Sequence, residues 1–492
     1  MPGFDPDRIE IPLGHVIGGA LRDAAHEWLD VRRPSDAQVY ARLPEGDAAL
    51  VDEAVANSDA AFRSPGWRRL APRDRAALLH RWADLVERDA GALARLEALG
   101  STRPIRDALA WDIPYTADVI RFFAELCDKH GGEIGATAPD HLGLMITEPY
   151  GVIGAIAPWN FPLVMACWKV APALAAGNAV VLKPSEMTPF SVNLLALLAV
   201  EAGIPPGIFN VVQGRGPVVG EALCKHPLVA KITFTGSTRT GAAIMEICAR
   251  HGTKPVTLEL GGKSPQLVFD DVTDPDRTAG IIARAIAGNA GQVCVAGSRL
   301  IVAERLKARI TGKIAEAFSG LKPGVTWDAD TTLPPIISEP QCARIGTLVD
   351  RAAAEGGTIL AGGSRLRNPQ HGAYFAPTLI EPAHAGAEIV QEEVFGPVLT
   401  IQGFRTDDEA FELARHPVYG LAAGVHTRDL NRAMRALREI RAGTIWINRY
   451  GRSNDHILPT GGFGQSGIGK DLGRQAFEGN QRLKTVLMAL EA

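Results

Sequence analysis

Gly151-Val-Ile-Gly-Ala-Ile-Ala157-Pro-Trp159-Asn160-Phe-Pro162 begins as an unbroken run of small and apolar residues and ends in a proline-bounded turn. A short apolar run closed by turn residues predicts a strand buried on both faces. Helical spacing follows at Leu163–Ala175, and a second apolar run lies at Ala179–Leu182. The alternation continues with helices at Thr188–Ala202, Pro217–Lys225 and Thr238–His251. Strands between and after them are expected at Ile208–Val212, Lys231–Thr235 and Pro255–Leu258. Repeated βαβ units of this kind predict a doubly wound parallel sheet covered on both faces.

A second alternating series starts at the strand Gln266–Phe269. It runs through helices at Asp274–Ala290, Glu304–Phe318 and Pro340–Glu355, the strand Pro397–Gly403, the helix Asp429–Arg441 and the strand Thr444–Asn448. The fold class is therefore α/β, with two doubly wound domains. Upstream, Asp47–Phe62 and Pro72–Leu96 have helical periodicity, and residues 1 to about 130 are expected to be mostly helical. Leu483–Leu490 predicts a terminal strand.

The 492 residues are 46% hydrophobic and 22% charged, an ordinary globular composition that excludes a disordered or fibrous chain. The formal net charge is −4 and no basic run stands out, which argues against nucleic acid as a partner. The most apolar stretch, Leu163–Leu182, contains Lys169, Pro172 and Asn178, so no membrane span is expected. The six cysteines are scattered without a CxxC pair, which argues against zinc sites and a disulfide framework. The N-terminus has no basic region followed by an apolar core, and the expected location is the cytoplasm.

Several segments carry reactive side chains, four of them at strand ends and one, around Cys294, following a helix and entering a loop. Cys294, in Asn289-Ala-Gly-Gln-Val-Cys294-Val-Ala-Gly297, is a nucleophile or a buried structural cysteine. Glu259, in Leu258-Glu-Leu260-Gly-Gly-Lys-Ser-Pro265, is a general base or a solvated loop carboxylate. Asn160 offers an amide to an oxyanion or caps the helix that follows. Phe234-Thr-Gly236-Ser237 is a phosphate-facing helix start or an ordinary βα turn. Lys183-Pro-Ser-Glu186 holds ribose hydroxyls or is a surface loop. No metal-ligand cluster is visible.

Taken together in order and spacing, PWNFP, KPSE, FTGS, LELGGKSP, GQVCVAGSR and EEVFGPV strongly resemble the aldehyde dehydrogenase superfamily. The resemblance runs from about Gly18 to the end and implies oxidation of an aldehyde to an acid with NAD. It implies Cys294 as nucleophile, Glu259 as general base, and Asn160 with the Cys294 N–H as oxyanion donors. It places Lys183 and Glu186 at the adenosine ribose and Gly236 and Ser237 near the pyrophosphate. Glu393 and Phe395 fall at the nicotinamide ribose and ring, with Trp159 and Leu260 near the cofactor. Trp168 would wall the substrate tunnel. The implied organisation is a Rossmann-like cofactor domain over 1–130 and 150–261, a catalytic domain over 262–460, and a β oligomerisation element over 131–149 and 461–492. A homodimer or homotetramer is the expected assembly. NAD is expected over NADP because Glu186 would repel a 2′-phosphate, with Lys183 softening the preference so that NADP is possible.

Two segments depart from the family pattern. Gly100-Ser-Thr-Arg-Pro104 replaces a common Asn-Gly-Lys-Pro run, and Thr460 replaces a phenylalanine that often lines the tunnel. Arg449, Arg452 and His456 match the substrate-entrance loop, where relatives acting on semialdehydes bind a distal carboxylate with Arg. Arg449 is the expected substrate contact, with a solvated rim as the alternative. Two other functions are weighed: a CoA-acylating semialdehyde dehydrogenase, which typically lacks the base at Glu259, and an inactive structural relative.

Overall fold

The computed structural model describes residues 4–25, 27–367, 372–453 and 455–490. Its architecture is α/β, built on two large, mostly parallel sheets. In the eight-stranded sheet the spatial order is Ala20–Arg22, His15–Ile17, Phe209–Val211, Ala179–Lys183, Val152–Ile156, Val229–Thr235, Val256–Glu259 and Gly467–Ile468. Its central strands, from Phe209–Val211 to Val256–Glu259, are parallel. Every residue of Val152–Ile156 and Ala179–Lys183 is buried, which is why these strands read as continuous apolar runs. Alternate residues serve opposite layers: Ile153, Ala155, Val180 and Leu182 join a core with Trp82 and Phe123. Val152, Ile156 and Val181 join another with Val51 and Ile232.

Chain order reverses between Val152–Ile156 and Val229–Thr235, which lie side by side with Ile156 opposite Phe234. Such a switch point opens a crevice beyond the carboxyl ends of the strands. The segments Pro158–Asn160 and Gly236–Ser237 emerge there.

The seven-stranded sheet has the order Thr358–Ala361, Thr378–Glu381, Val398–Phe404, Arg299–Ala303, Pro265–Val268, Ala422–His426 and Thr444–Ile447. All but the first are parallel to their neighbours. Glu259 ends a strand of the first sheet and Pro265 begins one of the second, so the short link between them crosses from sheet to sheet. In a third, antiparallel sheet, Gln481–Ala489 pairs along its whole length with His141–Pro149, which also pairs with Glu133–Gly135.

Three expectations need correction. Residues 15–45 are not helical. His15–Ile17 and Ala20–Arg22 form a hairpin, and Glu27–Arg32 pairs with Val39–Glu45. Gly18 and Gly19, at φ 62° and 81°, make the two-residue turn that such a hairpin requires. The expected helix Pro72–Leu96 is two, Pro72–Arg88 and Ala90–Gly100, divided at Asp89. The expected helix Asp274–Ala290 stops at Ala287, and Asn289 and Ala290 turn left-handed at φ 50°. Residues 1–3 and 491–492 of the expected domains lie outside the described residues.

Candidate active site

Cys294 stands in the loop between the turn Gly288–Gly291 and the strand Arg299–Ala303. Gly262 lets this loop come close to the end of the first sheet: a Cβ there would lie 2.9 Å from the Cys294 carbonyl oxygen. Gly291, at φ +72°, does the same for the Glu392–Gly396 segment, since a Cβ would fall 2.1 Å from the Gly396 oxygen.

A cavity of about 620 Å³ gathers Asn160, Trp168, Glu259, Cys294, Arg449 and Thr460. The expected nucleophile, base, oxyanion donor and substrate contacts thus line one space. A second cavity of about 580 Å³ shares Asn160 and Cys294 with the first and is lined by Trp159, Gly236, Ser237, Leu260, Glu393 and Phe395. Lys183 and Glu186 are not among its lining residues. They lie at the end of the adjacent strand, where Lys183 pairs with Glu186 at 2.9 Å.

Burial pushes the Cys294 thiol up to about 12, with Glu393 and Glu259 adding to the shift. Arg452 and the Val295 backbone N–H pull the other way. Burial likewise pushes Glu259 up to about 8, helped by Asp471 and opposed by Lys169, Arg452 and Lys470. Glu259 is 6% exposed, and its Oε1 has no hydrogen-bond partner. A buried carboxylate kept free of partners suits proton uptake near neutral pH. Behind it, Lys169 and Asp471 form a buried ion pair.

Asn160 does not cap the following helix; Phe161 occupies that position and makes no side-chain cap bond. Its Nδ2 instead donates to the Gln292 carbonyl at 2.9 Å. Asn289 donates back to the Asn160 carbonyl at 3.0 Å and accepts from the Thr102 hydroxyl at 2.7 Å. Gln292 is tied by its own side chain to Asn289, Pro335 and Ile337. Tyr450 donates to the Val295 carbonyl at 2.8 Å and so anchors the cysteine loop. Sequence reasoning missed Thr102, Asn289, Gln292 and Tyr450 as supports. The departure at Gly100–Pro104 marked the place of the first without its role. Arg103 in that run forms a buried pair with Asp112 at 2.7 Å.

The second cavity has groups suited to a dinucleotide. Trp159 and Phe395 meet edge to face with centroids 5.3 Å apart. Phe395 is held at φ 53°, its segment pinned by Arg344 and Gln341 on the Val394 carbonyl. Glu393 accepts the Gly262 N–H at 3.0 Å, and burial pushes its carboxyl up to about 7. Gly261 leaves room for it, since a Cβ would lie 2.3 Å from Glu393 Oε2. Ser237 caps the helix Thr238–Arg250, whose N-terminus faces this space.

Arg449, the expected substrate contact, lines the first cavity but is exposed, and its Nη2 bonds the Gly451 carbonyl and Ser453. Arg452 is the more buried of the two, with its guanidinium 5.2 Å from the Trp168 ring centre. Asn454 of the same loop lies outside the described residues. Among the described residues no cluster of His, Cys, Asp and Glu is placed to hold a metal. None of their helices is long and apolar enough to cross a membrane.

Residues 21–486 match the model of the aldehyde dehydrogenase family. The chain is 39% identical over 477 residues to the NADP/NAD-dependent aldehyde dehydrogenase PuuC of Escherichia coli K12, covering 97% of this chain and 95% of that protein. The structure of P. syringae AldA, an indole-3-acetaldehyde dehydrogenase in complex with NAD+ and IAA, is 41% identical, with TM-score 0.96 over 99% of this chain and 98% of that one. The gamma-glutamyl-gamma-aminobutyraldehyde dehydrogenase of Burkholderia cenocepacia J2315 gives the same identity, coverage and TM-score.

Proposed function

The chain belongs to the aldehyde dehydrogenase family and oxidises aldehydes to carboxylic acids with NAD(P), and we propose that Cys294, Glu259 and Asn160 carry out the chemistry. The observation that supports this most is that all three line one cavity, with Cys294 also facing the second.

Burial favours the neutral thiol, so its proton passes to water as sulfur bonds to the carbonyl carbon and the carbonyl π pair moves onto oxygen. Asn160 and the Cys294 N–H donate to the oxygen as it gains charge. Bound NAD supplies the acceptor for the hydride lost by that carbon, which then remains as a thioester on Cys294. Water attacks the thioester while Glu259 takes up its proton. The carbon–sulfur bond breaks, the acid departs, and the sulfur regains a proton. Trp159 and Phe395 would flank the nicotinamide, Glu393 its ribose, Gly236, Ser237 and Leu260 the adjoining pyrophosphate region, and Lys183 and Glu186 the adenosine ribose.

The intact Glu259 favours hydrolysis over transfer to CoA, and the complete triad speaks against an inactive relative. Cofactor binding belongs to residues 1–130 and 150–261, to whose sheet Gly467–Ile468 adds an edge strand, catalysis to 262–460, and assembly to 131–149 and the rest of 461–492. A dimer or a tetramer built from dimers is supported by the exposed apolar face of Gln481–Ala489, where Leu483 and Leu487 are 66% and 64% exposed. Cytoplasmic residence is supported by six free cysteines.

The decisive experiment follows NADH formation with propanal and benzaldehyde, with and without CoA, in wild type and Cys294→Ala. Acid production independent of CoA and lost in Cys294→Ala is expected. Turnover close to wild type in Cys294→Ala would remove the cysteine from the mechanism.

A further inference from the structure

A third cavity, of about 430 Å³, lies beside the link that carries the chain from one large sheet to the other. It shares Leu421 with the first cavity and Tyr419 with the second, but Cys294 does not line it. Two of its lining side chains are buried cations. Lys263, in the link itself, and Arg299, at the start of the strand Arg299–Ala303, are each 2% exposed. At the rim stand Arg415 and Arg441, both exposed.

Among the described residues neither buried cation has a carboxylate within ion-pair distance. The Lys263 Nζ has no hydrogen-bond partner. Arg299 donates only to backbone carbonyls, those of Lys263, Leu413, Ala414 and Arg415. Glu393 and Glu392 attract Lys263 from farther off, and Glu393 is committed to the Gly262 N–H. Glu412, the acid that lines the cavity, pairs with Arg415 at 2.6 Å. His416 supplies no negative charge. Its Nδ1 accepts the Val418 and Tyr419 N–H groups, so its Nε2 donates to the Gln391 carbonyl. Burial, with Arg299 and Lys263 adding to it, pushes this imidazole down to about 4. Burial and then Arg299 also push Lys263 down to about 7. A buried cation is costly unless an opposite charge meets it. Two of them on one cavity wall, with the Lys263 donors unspent, create a field that an anion satisfies.

We propose that this cavity is a binding site for a small oxyanion, a phosphate or a short carboxylate, which enters past Arg415 and Arg441 and bonds Lys263 Nζ beside the Arg299 guanidinium. An ammonium suits this task because its three donors turn to meet whichever oxygens arrive. The site is separate from the substrate and cofactor cavities, so the proposal stands apart from the chemistry at Cys294. Bound there, the anion fixes the link between Glu259 and Pro265 and raises the stability of the folded chain.

The test is titration calorimetry and thermal unfolding in inorganic phosphate or acetate, against chloride at equal ionic strength, with and without saturating NAD. Bound NAD covers the helix N-terminus at Ser237, the other place where phosphate would lodge. With NAD present, wild type should bind one oxyanion per chain with a Kd of about 1 mM or tighter, and Tm should rise by about 3 °C at saturation. Lys263→Met keeps the length of the side chain and removes its charge, and it should weaken binding by about tenfold or more. Arg441→Gln, at the exposed rim, leaves the buried pair intact and should weaken binding by about threefold at low salt. Binding of phosphate alone, or of acetate as well, supports the site and tells which oxyanion it takes. Heats and Tm no different from those in chloride, or an affinity unchanged by both substitutions, would overturn the proposal. Binding that vanishes when NAD is added would assign the anion to the cofactor cavity and overturn it as well.

Discussion

Asn160 Nδ2 donates one hydrogen to the Gln292 carbonyl at 2.9 Å, an arrangement that locks the amide by its neighbour's backbone and leaves its second hydrogen uncommitted. A donor fixed in this way costs little reorganisation when charge develops on a substrate oxygen. The lock extends further, since Asn289 holds the Asn160 carbonyl and is itself held by Thr102.

Asn160→Ala should therefore lower kcat by about 10²- to 10³-fold while NAD affinity changes little. Thr102→Val touches the lock and not the donor, so its loss should be smaller, with Asn289 released from one partner. Stopped-flow acylation rates for the two variants provide the check. An Asn160→Ala enzyme that acylates as fast as wild type would place the oxyanion elsewhere.

Glu259→Gln should separate the two halves of the reaction. Acylation reduces one NAD per site, after which the thioester waits for water. The expected signature is an NADH burst near one per active site followed by a slow steady state. Steady turnover without a burst, at the wild-type rate, would assign water activation to another group, with Glu393 the first to examine.

Much of this architecture was legible because it rests on strands buried on both faces. Val152–Ile156 and Ala179–Lys183 read as apolar runs for that reason, and the chemistry-bearing segments follow them directly. What the sequence concealed was mostly local geometry. The Gly18–Gly19 hairpin lies among short strands of mixed exposure, with no periodicity long enough to register. Asn289 and Ala290 both adopt left-handed conformations, which an asparagine tolerates and an alanine does not announce, and Asn289 is held there by hydrogen bonds from Thr102 and Gln292. Arg449 and Arg452 are indistinguishable in sequence. Only the fold shows one turned to solvent and the other laid over Trp168.

The Lys183–Glu186 pair at 2.9 Å bears on cofactor choice. A carboxylate beside the adenosine ribose accepts its hydroxyls and repels a 2′-phosphate, while the lysine partly offsets that repulsion. Wild type should prefer NAD, and Glu186→Ser should raise kcat/KM for NADP by about tenfold relative to NAD. A wild-type preference for NADP would remove Glu186 from the role of selector.

Assembly should depend on the exposed face of Gln481–Ala489. Leu483→Glu/Leu487→Glu places two charges where a neighbouring chain would pack, without disturbing a buried core. Light scattering should show wild type as a multiple of the 52.4 kDa chain and the variant shifted toward that single mass. A wild type that already scatters as one chain would refute the assembly outright.

Arg452 offers the most discriminating measurement, because its cation acts on both reacting groups. It lowers the Cys294 thiol from the level that burial and the nearby carboxylates set, and it opposes the rise of Glu259 to about 8. Its guanidinium is largely buried against Trp168, 3.9 Å from Asp455, and one nitrogen, Nη2, has no hydrogen-bond partner. Arg452→Met keeps an apolar chain against the indole and removes only the charge. As the proposed base, Glu259 would work in its ionised form, so deacylation in wild type should rise with pH through about 8. Without Arg452 the carboxylate is harder to ionise. The midpoint should move to higher pH, and the base-form fraction at pH 7 should fall. The measurement is the decay rate of a preformed acyl-enzyme across pH, in wild type, Arg452→Met and Glu259→Gln. Glu259→Gln should lose the rise altogether, which ties the midpoint to that carboxylate. An Arg452→Met profile that superimposes on wild type would show that the guanidinium serves the cavity wall and not the proton transfer.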